Sequence, residues 1–145
     1  MNATAKDIEI AAGLRTVIHR LVKVLRKHTR NDEMLSLTER STLGLLYQHG
    51  QLLPTELAQI EKVTAQSMSQ VIANLSKIAY VDKTPAVDDK RKVYLSLTPA
   101  GKEYIERQRQ EKQEWLARTL HERLSAREKE LLSEAITILT KLMDE

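Results

Sequence analysis

The sequence predicts a mostly α fold with one small β-hairpin, organised around a helix-turn-helix. Three observations carry that prediction. Apolar residues recur at helical spacing through most of the 145 residues, and only four Gly and three Pro interrupt them. Near residues 81–97 that period gives way to alternation. Between these regimes lies VTAQSMSQVIANLS, Val63 to Ser76, which holds no Asp, Glu, Lys or Arg in a chain that is 30% charged.

From about Thr4 to Arg30 the chain reads as one long helix whose apolar stripe is Ile10, Leu14, Val17, Ile18, Leu21, Val24 and Leu25. Arg15, Arg20, Lys23, Arg26, Lys27 and Arg30 load its other faces with positive charge. A helix lying on a membrane would carry Trp or Phe on its apolar face, and this one has neither. It is read as a scaffold helix with a solvated basic side, ended by Asn31 and Asp32. Thr38 is expected to cap a second helix running to about Gln48, with Leu43, Leu45 and Leu46 inward and Gly50 as its left-handed stop. Pro54 suits a first helical position, so a short third helix follows, Thr55 to about Glu61, burying Leu57 and Ile60.

A tight turn then leads into the charge-free helix, which Thr64 is placed to cap. Met68, Val71, Ile72 and Leu75 share its buried face, and Gln66, Ser67, Gln70 and Asn74 stand opposite. A helix facing water alone normally carries charge and ion pairs four residues apart. Amides and hydroxyls without strong charge instead match the donor and acceptor pattern of base edges in a major groove. Packing against protein is the competing reading of this stretch.

Val81 and Lys83 begin an extended run that Pro85 ends, and Val93, Leu95 and Leu97 alternate with Tyr94 and Ser96. The loop between them, AVDDKRK, puts Lys90, Arg91 and Lys92 at a hairpin tip. Charge runs of this kind are commonly mere solvated tips. Beside a charge-free polar helix, however, an arginine here suits the negative potential of a narrow minor groove.

Thr98 and Pro99 open a very polar helix to about Leu120, with Tyr104, Ile105, Trp115, Leu116 and Leu120 as its apolar points. Ser125 and Glu128 form a capping box ahead of the last helix, which carries Leu131, Leu132, Ala135, Ile136, Ile138, Leu139, Leu142 and Met143. That arc is broader than one small domain covers, so the terminal helices are expected to pair with a second copy of the chain. Composition sets further bounds. With no Phe and one Trp, the core is aliphatic, and with no Cys there is no disulfide, thiolate metal site or thiol sensor. A net charge of +3 permits a polyanionic partner. No apolar run approaches the ~20 residues of a membrane span, and the first residues lack a signal-peptide pattern. The expectation is a cytoplasmic protein without contact to a membrane.

In order and spacing these motifs resemble the MarR family of winged-helix transcription regulators over nearly the whole chain. The most specific match is Asp89-Lys90-Arg91 followed, six residues on, by Leu97-Thr98-Pro99-Ala100-Gly101. Pro54-Thr55-Glu56-Leu57-Ala58 is similar to the family's third-helix segment, and TAQSMSQVIANL to its recognition helix. The resemblance implies a homodimer whose recognition helices enter successive major grooves of a pseudo-palindromic operator, roughly 34 Å apart, with the wings in flanking minor grooves. By position it implies DNA contacts from Thr64, Gln66, Ser67, Gln70, Asn74, Lys90, Arg91 and Lys92, with Asp89 holding the neighbouring arginine. Ile10, Leu14, Val17, Leu132, Ile136, Leu139 and Leu142 would form the dimer interface. Residues 1–35 and 100–145 would be the dimerisation region and residues 36–99 the DNA-binding lobe. The family also implies control by a small aromatic effector, and repression as the commoner mode. Tyr47, Tyr104 and Trp115 are candidates to line an effector cavity and equally plain core residues, so the ligand-binding residues stay unassigned.

This chain departs from the family pattern at Ala79, where Gly usually follows the recognition helix, and at Leu53, where a capping Ser or Thr is common. It also lacks a basic residue near Gln70, which shifts affinity toward the wing and phosphate contacts. Two other function classes compete with this one. An enzyme would need a constellation of activated groups, but His19, His28, His49 and His121 are scattered, and Ser67 and Ser69 lie in no nucleophile motif. No cofactor or metal site is expected. A winged helix that docks protein or acts architecturally, without base readout, is the alternative, and it would more often expose apolar residues at the wing tip.

Overall fold

The computed structural model describes residues 2–29 and 35–144, which form six helices and three strands. They divide into two compact units: Asn31–Arg109, and Met1–Arg30 together with Gln110–Glu145. The first contains α2 (Leu37–His49), β1 (Gln51–Leu52), α3 (Pro54–Glu61), α4 (Ala65–Lys77), β2 (Val81–Pro85), β3 (Val93–Leu97) and the beginning of α5 (Pro99–Arg123). The second contains α1 (Ala5–His28), the end of α5 and α6 (Ala126–Thr140).

Helix α2 opens differently from expectation. Ser36 caps it, accepting from the Glu39 amide at 3.1 Å, while the Glu39 carboxylate accepts from the Ser36 amide at 3.3 Å. This reciprocal box satisfies two first-turn donors, so Thr38 lies inside the helix rather than at its cap. Gly50 ends α2 at φ +83, as its position requires. Without a side-chain oxygen at Leu53, α3 relies on Glu56, whose carboxylate accepts from the Leu53 amide at 2.9 Å. Leu57 and Ala58 define the buried face of α3, and Ile60, about 110° round from its centre, is 48% exposed rather than buried. Ala58 takes the place in the core expected for Ile60.

The core of this unit is aliphatic. Leu43, Leu46, Leu57, Met68, Leu75 and Leu95 are essentially sealed from solvent, with Ile72, Val81, Tyr104 and Ile105 around them. Leu95 lies on β3, the centre of an antiparallel sheet of order β1-β3-β2. The hairpin runs in register from Val81 opposite Leu97 to Pro85 opposite Val93. Strand β1 adds Gln51 opposite Ser96 and Leu52 opposite Leu95. Sequence periodicity does not indicate β1, because two residues cannot display alternation.

Between α4 and β2 the chain turns on Ala79, a non-glycine residue at φ +60, where an L side chain is strained by roughly 1 kcal/mol or more. The opening of α5 holds this turn. Thr98 donates its hydroxyl to the Ala79 carbonyl at 2.6 Å and its amide to the Tyr80 carbonyl at 3.1 Å. The same hydroxyl caps α5, accepting from the Gly101 amide at 3.1 Å. Gly101 is required by proximity: a Cβ there would lie 2.2 Å from the Tyr80 carbonyl oxygen. The segment Leu97-Thr98-Pro99-Ala100-Gly101 is therefore a clamp that fixes where β2 leaves α4.

In the other unit, Thr4 and Asp7 form a capping box at the start of α1, with bonds of 3.1 and 2.8 Å. Helix α1 ends at His28, and the expected terminating pair, Asn31 and Asp32, lies outside the described residues. The His28 ring stacks on Trp115, with centroids 4.8 Å apart and planes 15° off parallel. Helix α5 continues to Arg123, and Ser125 with Glu128 opens α6 as the capping box the sequence contains. Neither α1 nor α6 has a fully buried residue. Ile10, Val17, Leu132, Ile136 and Leu142 are exposed, whereas Leu14 and Leu139 are half-buried.

Candidate nucleic-acid interface

Helices α3 and α4 join through Lys62, in the left-handed region at φ 55, and Val63, whose amide donates to the Ala58 carbonyl at 3.0 Å. Thr64 caps α4 by accepting from the Ser67 amide at 3.0 Å, and its hydroxyl donates to the Ser67 hydroxyl at 3.0 Å. Met68, Ile72 and Leu75 pin the inner face of α4 to the core, and Val71 is half-buried beside them. That anchoring leaves Gln66, Ser67, Gln70 and Asn74 exposed together. The Gln70 amide donates to the Asn74 side-chain oxygen at 3.0 Å. This bond uses one donor and one acceptor, so a Gln70 acceptor and Asn74 donors remain available for other bonds. Ala73 is also exposed, one turn beyond Gln70. Sequence reasoning misses it because alanine carries no polar signal, yet a methyl group at that position can meet a thymine methyl.

The wing tip is internally braced. Ala86 is buried, its amide donating to the Lys92 carbonyl at 2.8 Å, and the Lys92 amide donates to the Asp89 carbonyl at 3.0 Å. The Asp89 carboxylate accepts from the Arg91 amide at 3.0 Å and from the Arg91 guanidinium at 3.2 and 3.4 Å. Asp89 therefore fixes both the backbone and the side chain of Arg91, while the arginine side chain stays 92% exposed. Lys90, Lys92 and Val87 lie exposed at the same tip, and Asp89 is half-buried among them. The four residues Asp89, Lys90, Arg91 and Lys92 are thus brought together as one cationic loop with the Asp89 carboxylate as its latch.

This latch has a pH dependence of definite sign. The Arg91 guanidinium first, and the Arg91 amide second, hold the Asp89 carboxyl below its usual 3.8. A lowered carboxyl value means the bracing is complete above the ordinary value and fades as pH falls through the lowered one. An NMR titration that follows the Arg91 amide should show a midpoint below 3.8, and Arg91→Ala should raise the Asp89 midpoint. A wild-type midpoint at or above the ordinary aspartate value would contradict the latch.

The remaining candidates are dispersed. Tyr47 donates its hydroxyl to Glu106 at 3.3 Å, and Arg109 lies 4.3 Å over its ring. Tyr104 is a core residue at a 5.2 Å centroid distance from Tyr80, and Trp115 is occupied by His28. Among the described residues, no group of three or more His, Asp or Glu is placed to hold a metal ion, and no helix is long and apolar enough to cross a membrane.

Comparison with known proteins fits this architecture. The MarR family model matches residues 35–93, the span from the core residue Leu35 to the first residue of β3. The HTH-type transcriptional regulator Mb0904 of Mycobacterium bovis is 34% identical over 139 residues, covering 96% of each chain. YkoM of Bacillus subtilis, another HTH-type transcriptional regulator, is 30% identical over 108 residues, covering 70% of this chain and 68% of its own. Among solved structures, transcriptional regulator Tm0710 of Thermotoga maritima superposes with a TM-score of 0.81 at 21% identity, over 93% of this chain and 94% of its own. A point mutant of MepR of S. aureus, bound to an oligodeoxyribonucleotide, gives a TM-score of 0.69 at 21% identity, over 93% of this chain and 98% of its own. With its three-stranded winged helix-turn-helix and its terminal helices, the chain belongs to the MarR family of transcriptional regulators.

Proposed function

We propose that this regulator recognises a specific double-stranded DNA sequence as a homodimer, and that it is a repressor released by a small aromatic effector. Gln66, Gln70 and Asn74 read base edges in the major groove, and Thr64 and Ser67 at the start of α4 meet the backbone beside them. Lys90, Arg91 and Lys92 engage the flanking minor groove, with Asp89 orienting Arg91. Pairing through Ile10, Leu14, Val17, Leu132, Ile136, Leu139 and Leu142 presents two copies of this surface to a pseudo-palindromic operator. In this reading residues 1–35 and 100–145 form the pairing region and residues 36–99 the DNA-binding lobe. The role is binding, not catalysis, and it is performed in the cytoplasm.

The observation that carries the reading is the exposed, uncharged amide face of α4 in the same unit as an arginine locked by Asp89. A protein-docking surface has little use for such a combination, whereas each part matches one groove of B-form DNA. Family membership supports it, and MepR is a structural neighbour solved with an oligodeoxyribonucleotide. Effector control requires a coupling of only about 1–3 kcal/mol between the ligand and DNA sites.

Selection from a pool of random duplexes tests the reading, followed by the same selection with two variants. Gln70→Ala is expected to relax preference at one base position per half-site, at a cost of about 1–3 kcal/mol. Arg91→Ala should weaken binding to every duplex. Equal binding of the parent protein to all duplexes would overturn sequence-specific recognition. One observation favours the second reading, a wing that docks protein: Val87 is fully exposed at the tip. Under that reading, Val87→Asp would abolish a protein complex and leave duplex selection unchanged.

A further inference from the structure

The net positive charge of this protein does not reside in the unit that carries the recognition helix. Between Asn31 and Arg109, ten Lys and Arg are matched by ten Asp and Glu. From Gln110 to Glu145, six basic residues face eight acidic ones. From Met1 to Arg30, seven basic residues stand against two acidic ones, Asp7 and Glu9, and both of these lie in the opening turns of α1. Residues 10–29 contain no acid at all.

Along that stretch the basic side chains and His19 are sorted onto one face. Arg15, His19, Lys23 and Lys27 follow one another at four-residue steps, and Arg20 and Arg26 fall within the same arc of about 140°. Leu14, Val17, Ile18, Leu21 and Val24 occupy the opposite arc. All five Lys and Arg from Arg15 to Lys27 are exposed, and none forms an ion pair with another described residue. Pairing does occur where acids are at hand: the start of α1 pairs Lys6 with Glu9, α5 pairs Glu103 with Arg107, and α6 pairs Arg127 with Glu130. Leaving five like charges uncompensated on one face raises the energy of the isolated helix, since neighbours four residues apart repel.

We infer that the basic face of α1 is a second polyanion-binding surface, and that its partner is the phosphate backbone of duplex DNA. The step from Arg15 to Lys27 spans about 18 Å of helix, and duplex DNA of that length carries about ten phosphates. A helix bedded on lipid would have to offer its apolar arc as well, and that arc lacks Trp and Phe. The inference rests on DNA as the partner of the recognition unit, and it completes the electrostatics of that reading. A net-neutral unit whose helix α4 reads through an uncharged face leaves its counterion release chiefly to the wing cations, and α1 adds to that part.

The test is the salt dependence of duplex binding by the full chain, with Arg15→Gln, Lys23→Gln and Lys27→Gln combined and Arg15→Lys, Lys23→Arg and Lys27→Arg combined as the charge-retaining control. Light scattering and circular dichroism first establish that assembly and helix content are unaltered. Each lost phosphate contact lowers the slope of log K against log salt by about 0.9. The neutral triple should therefore lose about 2–3 units for each copy of the chain that reaches DNA, equally on a selected site and on random duplex. The control should keep the parent slope. A neutral triple with the parent slope overturns the inference, as does parent protein that binds phosphatidylglycerol vesicles through these residues while the duplex slope stays fixed. The two readings fail separately: loss of base preference in the parent removes sequence-specific recognition, and an unchanged slope removes the α1 surface.

Discussion

Gly101→Ala is expected to destabilise the Asn31–Arg109 unit by about 3 kcal/mol or more, although it replaces glycine in a helix. Helix propensity alone makes the opposite forecast, since alanine is favoured over glycine in a helix by roughly 1 kcal/mol. The sign of the change therefore decides between propensity and packing. The added Cβ would meet the Tyr80 carbonyl oxygen at 2.2 Å, its carbon at 3.1 Å and its Cα at 3.2 Å. These are backbone atoms, and no rotamer change relieves the contact. Moving Tyr80 away also strains the bonds that Thr98 makes to Ala79 and Tyr80. Gly44→Ala is the internal control, because a Cβ there meets nothing within 4 Å. Thermal unfolding should place Gly101→Ala roughly 10 °C below the parent and Gly44→Ala at or above it. A rise in stability for Gly101→Ala would show that the chain between α4 and α5 yields easily, and the clamp would lose its meaning.

That clamp also marks the boundary of what the sequence makes legible. Long periodic elements are readable because their signal repeats: the stripe of α1, the inner face of α4 and the alternation of β3 each recur several times. Caps built from two cooperating residues are readable where both are weighed, as at Ser125 and Glu128, and misplaced where one is taken alone. Thr38 has the right chemistry for a cap, but Ser36 has Glu39 at the reciprocal spacing and prevails. Strand β1 and the exposure of Ile60 depend on what packs from elsewhere in the chain. A two-residue strand exists because β3 offers it partners, and a face of α3 is buried according to where the sheet lies. No local pattern encodes either fact. The polar face of α4 is legible for a chemical reason, since the absence of charge is itself conspicuous in a charged chain. The contribution of Asp89 comes only through the family resemblance, and the structure supplies its mechanism as a bond to backbone and guanidinium together. Ala73 has no signal that sequence reasoning could weigh.

Placing a charge in the apolar arc of α6 should have the largest effect on assembly. Ile136 is 59% exposed in the single chain, on a helix that has no fully buried residue of its own, and Val17 on α1 is 60% exposed. Such arcs, left uncovered on both terminal helices, are apolar patches of the kind that mark an interface. If pairing is two-fold, every substitution enters the interface twice. Ile136→Glu would then bring two carboxylates into an apolar contact where neither has a partner, a cost of several kcal/mol for each charge. A dimer dissociation constant at least about 100-fold higher follows, equivalent to roughly 2.8 kcal/mol, with a monomer at micromolar concentration in light scattering. Operator affinity should fall with it by about 100-fold or more, because two half-sites no longer act through one bivalent ligand. Binding to an isolated half-site should be little changed, since α4 and the wing belong to the other unit. An Ile136→Glu protein that remains a dimer would show that other surfaces pair the two copies. A monomeric variant with undiminished operator affinity would show instead that each chain reads its site alone, and the case for a palindromic operator would fall with it.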